Sequence, residues 1–203
     1  MKIAVIGATG KAGSRIVKEA LARGHQVTAI ARHIESVPPA PNLTAKAGDA
    51  SDASALAKIL AGHDAIISSL RFLGSDAAKL VEAVKKSGVK RYLVVGGAGS
   101  LEVAPGKQLV DTPEFPAVAR GEAGKGREFL NVLRGERALD WTFLSPSALF
   151  APGERTGKFR LGKDQLLTDA HGKSWVSMED FAIALLDEVE RPKHSRARFT
   201  VGY

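Results

Sequence analysis

Short apolar runs alternate along the chain with stretches whose apolar residues recur at helical spacing. Residues 3–6 read as a buried strand, and Ile16, Val17, Ala20 and Leu21 follow at helical intervals up to Gly24, a residue type that closes helices. Residues 26–31 form the next strand in the pattern. Leu56, Ile59 and Leu60 then mark a helix opened by Ser51 or Asp52 and closed by Gly62. Residues 65–68, 91–95 and 140–144 give three more strands. Between them lie a helix lined by Leu80, Val81 and Val84 that ends at Gly88, and a second that ends near Leu133. A Gly- and Pro-rich connection over residues 96–116 precedes that last helix, and the Pro cluster at 38–41 reads as a surface loop.

Strands separated by helical crossovers pair in parallel, with helices on both faces of the sheet. The tail leaves this rhythm. Residues 166–167 and 175–176 flank Asp169-Ala170-His171-Gly172 in the manner of a hairpin with a glycine turn. Residues 177–180 make a capping-box-like start for a helix carrying Phe181, Ile183, Leu185 and Leu186, and residues 199–201 give a last strand. The expected architecture is an α/β doubly wound parallel sheet of Rossmann-like type. It forms one domain over residues 1–203, with a small C-terminal extension on the substrate side.

Composition narrows the chemistry. The chain has 203 residues and no cysteine, which excludes disulfides, thiolate metal sites and a cysteine nucleophile, and suits a reducing compartment. Apolar and charged fractions of 44% and 25% are those of an ordinary soluble globule. No stretch approaches the about 18 apolar residues of a membrane span, so a cytoplasmic location with no membrane partner is expected. The 29 basic and 22 acidic side chains leave a formal charge of +7, which favours anionic ligands. The basic tail around Arg191, Arg196 and Arg198 lacks interleaved aromatics, so it reads as a solvated surface and no nucleic-acid partner is expected. The five histidines are scattered without ligand spacing, and no metal site is expected.

The strongest motif is Gly7-Ala8-Thr9-Gly10-Lys11-Ala12-Gly13, placed directly after the first strand and opening the first helix. Gly7 suits a tight turn, Gly10 a close approach of backbone to a pyrophosphate, and Gly13 close packing of helix on strand. Phosphates would sit on free N–H groups at the positive end of the helix. The spacing is G-x-x-G-x-x-G, a departure from the commoner G-x-G-x-x-G. At the end of the second strand, about 20 residues past the glycines, a carboxylate would bond a ribose 2′-hydroxyl. This chain has Arg32 there, whose guanidinium matches a 2′-phosphate, so NADPH is expected over NADH, with Lys11 adding charge on the same side. Asp49 and Ala50 are candidates for the adenine edge, with an ordinary Asp turn as the alternative. Ser69, Leu70, Gly97 and Pro146 end successive strands and so face the same crevice.

Beyond these motifs the chain resembles a known family. The glycine loop, residues 91–100 (RYLVVGGAGS) and residues 140–147 (DWTFLSPS) resemble the atypical short-chain dehydrogenases. Within them the likeness is to the NADH-flavin reductase group, with biliverdin/flavin reductases and NmrA-like proteins as cousins. The tail also matches that group, so the resemblance spans the chain. It implies an NAD(P)H-dependent reductase whose small-molecule acceptor is a flavin, FMN or FAD, or a quinone-like compound. Ordinary short-chain dehydrogenases use a Tyr with a Lys four residues later. Here Tyr92 is followed by Gly96, Tyr203 ends the sequence, and residues 117–122 offer neither residue. The catalytic residue therefore stays unassigned. Hydride passing to a delocalised acceptor needs orientation more than a strong acid. Ser100 and Ser147 are candidate polar contacts to the acceptor, and Phe150 and Trp175 candidate stacking partners. The rival expectations are a non-catalytic NADP-sensing NmrA-like regulator and an isomerase that retains its cofactor.

Overall fold

The apolar runs become neighbouring strands of one sheet because each is sealed on both faces. In β1 (Lys2–Ile6), Ile3 and Val5 point into one apolar layer while Ala4 and Ile6 point into the other. The computed structural model describes residues 1–203. After β1 come α1 (Lys11–Ala22), β2 (Gln26–Ala31), β3 (Leu43–Ala47), α2 (Ala53–Leu60) and β4 (Ala65–Ser68). Next are α3 (Ala77–Ser87), β5 (Arg91–Val95), the short β6 (Glu102–Ala104) and β7 (Lys107–Gln108), and the long α4 (Ala117–Gly135). The chain closes with β8 (Asp140–Pro146), β9 (Leu149–Ala151), β10 (Arg160–Gly162), β11 (Trp175–Ser177), α5 (Met178–Glu190) and β12 (Ala197–Gly202).

Eight strands lie in the order β10-β12-β8-β5-β4-β1-β2-β3, all parallel except β10, which runs antiparallel to β12. One layer packs α1 and α5 on the sheet through Ile16, Val17, Phe181 and Leu185. The opposite layer uses Leu56 and Leu60 of α2, Leu80 and Val84 of α3, and Phe129 and Leu133 of α4. This is a Rossmann-like α/β fold. The order turns at β1: β2 and β3 lie on one side of it and β4 on the other, which opens a crevice past the carboxyl ends of β1 and β4.

Local signals decide where elements start. Asp52, rather than Ser51, caps α2 by accepting the Ser54 and Ala55 N–H groups at 3.1 and 2.9 Å. Only half of the expected box at α5 forms. The Ser177 hydroxyl accepts the Asp180 N–H at 3.0 Å, but the Asp180 carboxylate does not return to the Ser177 backbone. It is buried and instead accepts from the Tyr203 hydroxyl at 2.7 Å and the Gly157 N–H at 2.9 Å, tying the loop before β10 to the last residue.

The expected hairpin does not form. The turn at residues 169–172 exists, held by the Asp169 carboxylate on the His171 and Lys173 N–H groups. Its arms, however, find distant partners. Leu166 donates to the Glu102 carbonyl, and β11 pairs in parallel with β9, which buries Val176 completely in the core. A two-stranded hairpin at the surface buries too little to compete with that. The edge strands β3 and β10 were not delimited by pattern because both are exposed along most of their length.

Glu19 on α1 is a buried acid between two guanidinium groups, accepting from Arg155 at 2.8 and 2.9 Å and from Arg23 at 2.9 Å. The Arg155 hydrogen bonds hold its carboxyl below the usual value of 4.5, against burial, which pulls the other way. A depressed acid contributes stability above its unfolded value, and that contribution is lost as pH falls through the lower folded value. Glu19→Gln should therefore narrow the gap between melting temperatures at pH 7 and pH 3.5. An unchanged gap would show that this pair does not set the acid sensitivity.

Candidate functional site

The site starts from the turn after β1. Gly7 has φ +80, and its N–H and that of Ala8 both donate to the Ile30 carbonyl, at 2.8 and 3.2 Å. A side chain there is excluded twice, by the backbone angle and because its Cβ would lie 2.3 Å from the Ser69 carbonyl oxygen. The Cβ missing from Gly13 would lie 2.1 Å from the Gly7 carbonyl oxygen, so the first turn of α1 sits directly on the loop. Gly10 caps α1 with no side-chain hydrogen bond, and the first turn has no acidic residue. Its leading N–H groups therefore face the crevice unspent, at the positive end of a 12-residue helix.

Two cavities, of about 600 and 590 Å³, meet at Gly10, Ser69, Leu70 and Arg71. The first is lined by Gly7, Thr9, Arg32, Asp49 and Ala50. Arg32 is exposed, enters none of the ion pairs of the fold, and lies near enough to favour the charged form of Asp49. The Asp49 carboxyl is held below its usual range chiefly by the Ser51 N–H, which it accepts at 2.8 Å. That is the Asp turn weighed above, and it sits in the cavity wall.

The second cavity is lined by Lys11, Ala12, Gly97, Pro146, Ser147 and Phe150, with Phe72, Leu109 and Phe115 adding apolar walls. Lys11, the first residue of α1, lines this second cavity, while Arg32 lines the first. Gly13 is buried and lines neither cavity; its part is packing.

Three of the expected acceptor contacts are corrected. Ser100 is buried away from both cavities, and its hydroxyl accepts from Arg198 at 3.3 Å. Trp175 packs its ring against Tyr203, with centroids 4.3 Å apart, and lies outside the cavity because β11 joins β9 rather than a hairpin. Ser147 reaches the cavity wall, but it is buried and its hydroxyl donates to the Val201 carbonyl at 3.0 Å. Phe150 does line the cavity, with its ring tilted on Phe181 at 4.8 Å.

Neither tyrosine faces the crevice. Tyr92 is wholly buried in β5, its hydroxyl shared with the Ser68 hydroxyl at 2.9 Å, and burial pushes its pKa up. The Tyr203 hydroxyl is committed to Asp180 and Ser177. Where α4 meets the second cavity it presents Ala119, Glu122 and Ala123. The Glu122 carboxylate accepts the Phe72 and Leu73 N–H groups at 2.6 and 3.1 Å, and so pins the loop after β4 to α4. Arg120 does the same for the connection before α4, donating to the Val110, Thr112 and Phe115 carbonyls at 3.0–3.2 Å. Sequence reading missed Arg71, Phe115 and Glu122. Arg71 was findable, since it follows the loop that ends β4. The others come from a connection whose course no periodicity dictates.

Residues 7–192 match the model of a family described as NAD(P)H-binding. The protein YwnB of Bacillus subtilis, described only as uncharacterized, is 42% identical over 99% of this chain and 98% of its own length. A structure from Bacteroides thetaiotaomicron, named a "putative epimerase", is 43% identical with a TM-score of 0.95, covering 100% of this chain and 96% of its own. One from Streptococcus pneumoniae, named a "putative NADH-flavin reductase", is 36% identical with a TM-score of 0.87, covering 100% and 99%.

The two glycines should separate by phenotype. A Cβ at Gly10 would press on the Gly7 carbonyl oxygen at 3.2 Å, a contact that a shift of a few tenths of an ångström relieves, so Gly10→Val should fold with a modestly lower melting temperature and lose NADP⁺ binding. Gly13→Val should fail to fold or melt far lower, because backbone must move. Melting curves paired with calorimetric NADP⁺ titration test both. Undiminished binding by a folded Gly10→Val would reduce the loop to a turn.

Proposed function

The chain belongs to the NAD(P)H-binding family, and from that premise we propose that it is an NADPH-dependent reductase passing hydride to a flavin or quinone-like acceptor. The observation that carries this reading is the second cavity. It joins the glycine loop to apolar walls, and neither tyrosine hydroxyl reaches it. Reduction of an isolated carbonyl without an acid leaves a poorly stabilised alkoxide, whereas a reduced flavin or quinone spreads its charge through a conjugated ring. Bound NADPH supplies the hydride.

The chain's own residues bind and orient. Gly7, Thr9, Gly10 and Ala12, with the open first turn of α1, cradle the pyrophosphate, and Gly13 lets that turn approach. Arg32 meets the 2′-phosphate, with Asp49 and Ala50 beside the adenine. Ser69, Leu70, Gly97 and Pro146 flank the path to the nicotinamide. Phe150 and Phe115 enclose a flat acceptor against it and exclude water.

The test is NADPH oxidation with added FMN. Turnover supports the reductase reading; NADPH binding without oxidation of FMN or of a quinone panel favours a cofactor-sensing regulator instead. Tyr92→Phe should keep turnover within about threefold of the parent, since a lost general acid typically costs about 100-fold or more. It should nevertheless melt lower, because the buried Ser68 hydroxyl loses its partner. A hundredfold loss in a folded variant would reveal an acid in Tyr92 and sink the acid-free mechanism.

Cofactor choice has its own check. Arg32→Asp replaces attraction by repulsion and should weaken NADPH by about 2 kcal/mol or more, roughly 30-fold, with NADH unchanged or tighter. Equal NADPH titration curves would remove Arg32 from the site.

A further inference from the structure

One stretch of chain walls both cavities. Ser69, Leu70 and Arg71 line the two together, Phe72 lines the second, and Leu73, Gly74 and Ser75 line the first. The stretch begins where the Ser69 N–H donates to the Ile6 carbonyl at 2.8 Å. It ends where the Asp76 carboxylate caps α3 on the Lys79 N–H at 3.1 Å. Between those ends two backbone hydrogen bonds tie it to the rest of the molecule. The Glu122 carboxylate accepts both, from the Phe72 N–H at 2.6 Å and the Leu73 N–H at 3.1 Å. The other backbone bonds close the turn on itself, from the Gly74 N–H to the Arg71 carbonyl and from the Ser75 N–H to the Phe72 carbonyl. Beneath, the buried Phe72 ring packs on Phe129 and Phe143, with centroids 5.5 and 6.2 Å away. Above it, Leu73 and Gly74 are exposed, and the exposed Arg71 guanidinium reaches Glu122 at 3.9 Å. Glu122 stands on a helix that is held separately, since Arg120 binds α4 to the preceding connection through three carbonyls.

Resting on the reductase reading for what fills the second cavity, we propose that Glu122 is a positioning residue that links the two cavities. It holds the turn at residues 71–75 in the one place where cofactor and acceptor both find their wall. A single helical turn has no stability of its own, whereas two N–H groups on one carboxylate hold it firmly. A ligand seated in either cavity rests on that turn and orders it further, so the second ligand meets a wall already in place. Each ligand must then tighten the other by the same factor. Gln at position 122 keeps the size of the side chain but accepts through its carbonyl oxygen alone. Its amide N–H₂ would face a backbone donor, so one of the two ties is lost.

The test is a linkage cycle with NADP⁺ and riboflavin, whose uncharged tail leaves the walls as the main contact. Riboflavin affinity is read by fluorescence quenching with and without saturating NADP⁺. In the parent NADP⁺ should tighten riboflavin by about fivefold or more. In Glu122→Gln the factor should fall to within about twofold of one, and NADP⁺ alone should bind about tenfold more weakly. A residue that served only the stability of the fold would lower the melting temperature and leave the linkage factor as it was. Arg71→Gln should keep the linkage, because the ties to the backbone remain. A parent factor near one, or a folded Glu122→Gln that keeps the parent's factor, overturns the proposal. Should Glu122→Gln fail to fold, hydrogen exchange of the Phe72 and Leu73 amides in the parent decides. Slowing by NADP⁺ and further slowing by riboflavin sustain the link, and unchanged rates overturn it. If riboflavin does not bind the parent at all, the flavin reading fails on its own. The hold on the turn is then judged by NADP⁺ titration, where equal curves for parent and Glu122→Gln overturn it and a tenfold weakening sustains it.

Discussion

Everything at this site depends on three backbone segments coming closer than any side chain allows. The turn at Gly7 lies against the Ser69 carbonyl, and the first turn of α1 lies on the turn itself at Gly13. At both places a Cβ would sit well inside contact distance of a backbone oxygen, so the constraint is steric before it is chemical. Its consequence is electrostatic. Once the helix start is pressed onto the ends of β1 and β4, its unspent N–H groups aim into the crevice at the switch in strand order. The two cavities meet at that same seam.

The second cavity is held open by side chains that act on backbone. Glu122 and Arg120 lie two residues apart on α4 and secure different loops, one after β4 and one before α4. This division matters because the amino-terminal part of α4 is rich in glycine, at positions 121, 124 and 126, and its intrinsic helical preference is low. The helix persists there because it is packed: a Cβ at Gly126 would press on the Phe72 ring at 3.0 Å. Further out, Arg198 of β12 joins Asp164 at 2.9 Å to Ser100, so the loop after β5 is tied to the last strand. The tail thereby becomes part of the wall rather than an appendage.

The core strands β1, β2, β4, β5, β8 and β12, most helix ends and the glycine loop were legible from residue pattern, because strand burial and helix closure are local matters of alternation and φ preference. Arg32 was legible too, since its distance from the glycines fixes it at the end of β2. Ser100 and Trp175 were misplaced for one reason. Each lies in a segment whose partners are distant in sequence, Arg198 for the first and β9 for the second. Which cavity Lys11 lines was not legible, because a seven-residue motif does not disclose where the turn stops and the helix begins.

By itself, then, the sequence determined the parallel core of the sheet, the glycine turn after β1 and the lack of a Tyr with a Lys four residues later. These follow from periodicity, spacing and residue identity alone. Tertiary structure decided which hydroxyls are spent and which residues wall the second cavity. Those properties depend on hydrogen bonds between residues well separated in sequence, from Tyr203 with Asp180 to Glu122 with Phe72 and Arg198 with Ser100. A side chain's chemistry is written in the sequence, but its availability is set by whichever distant backbone group claims it first.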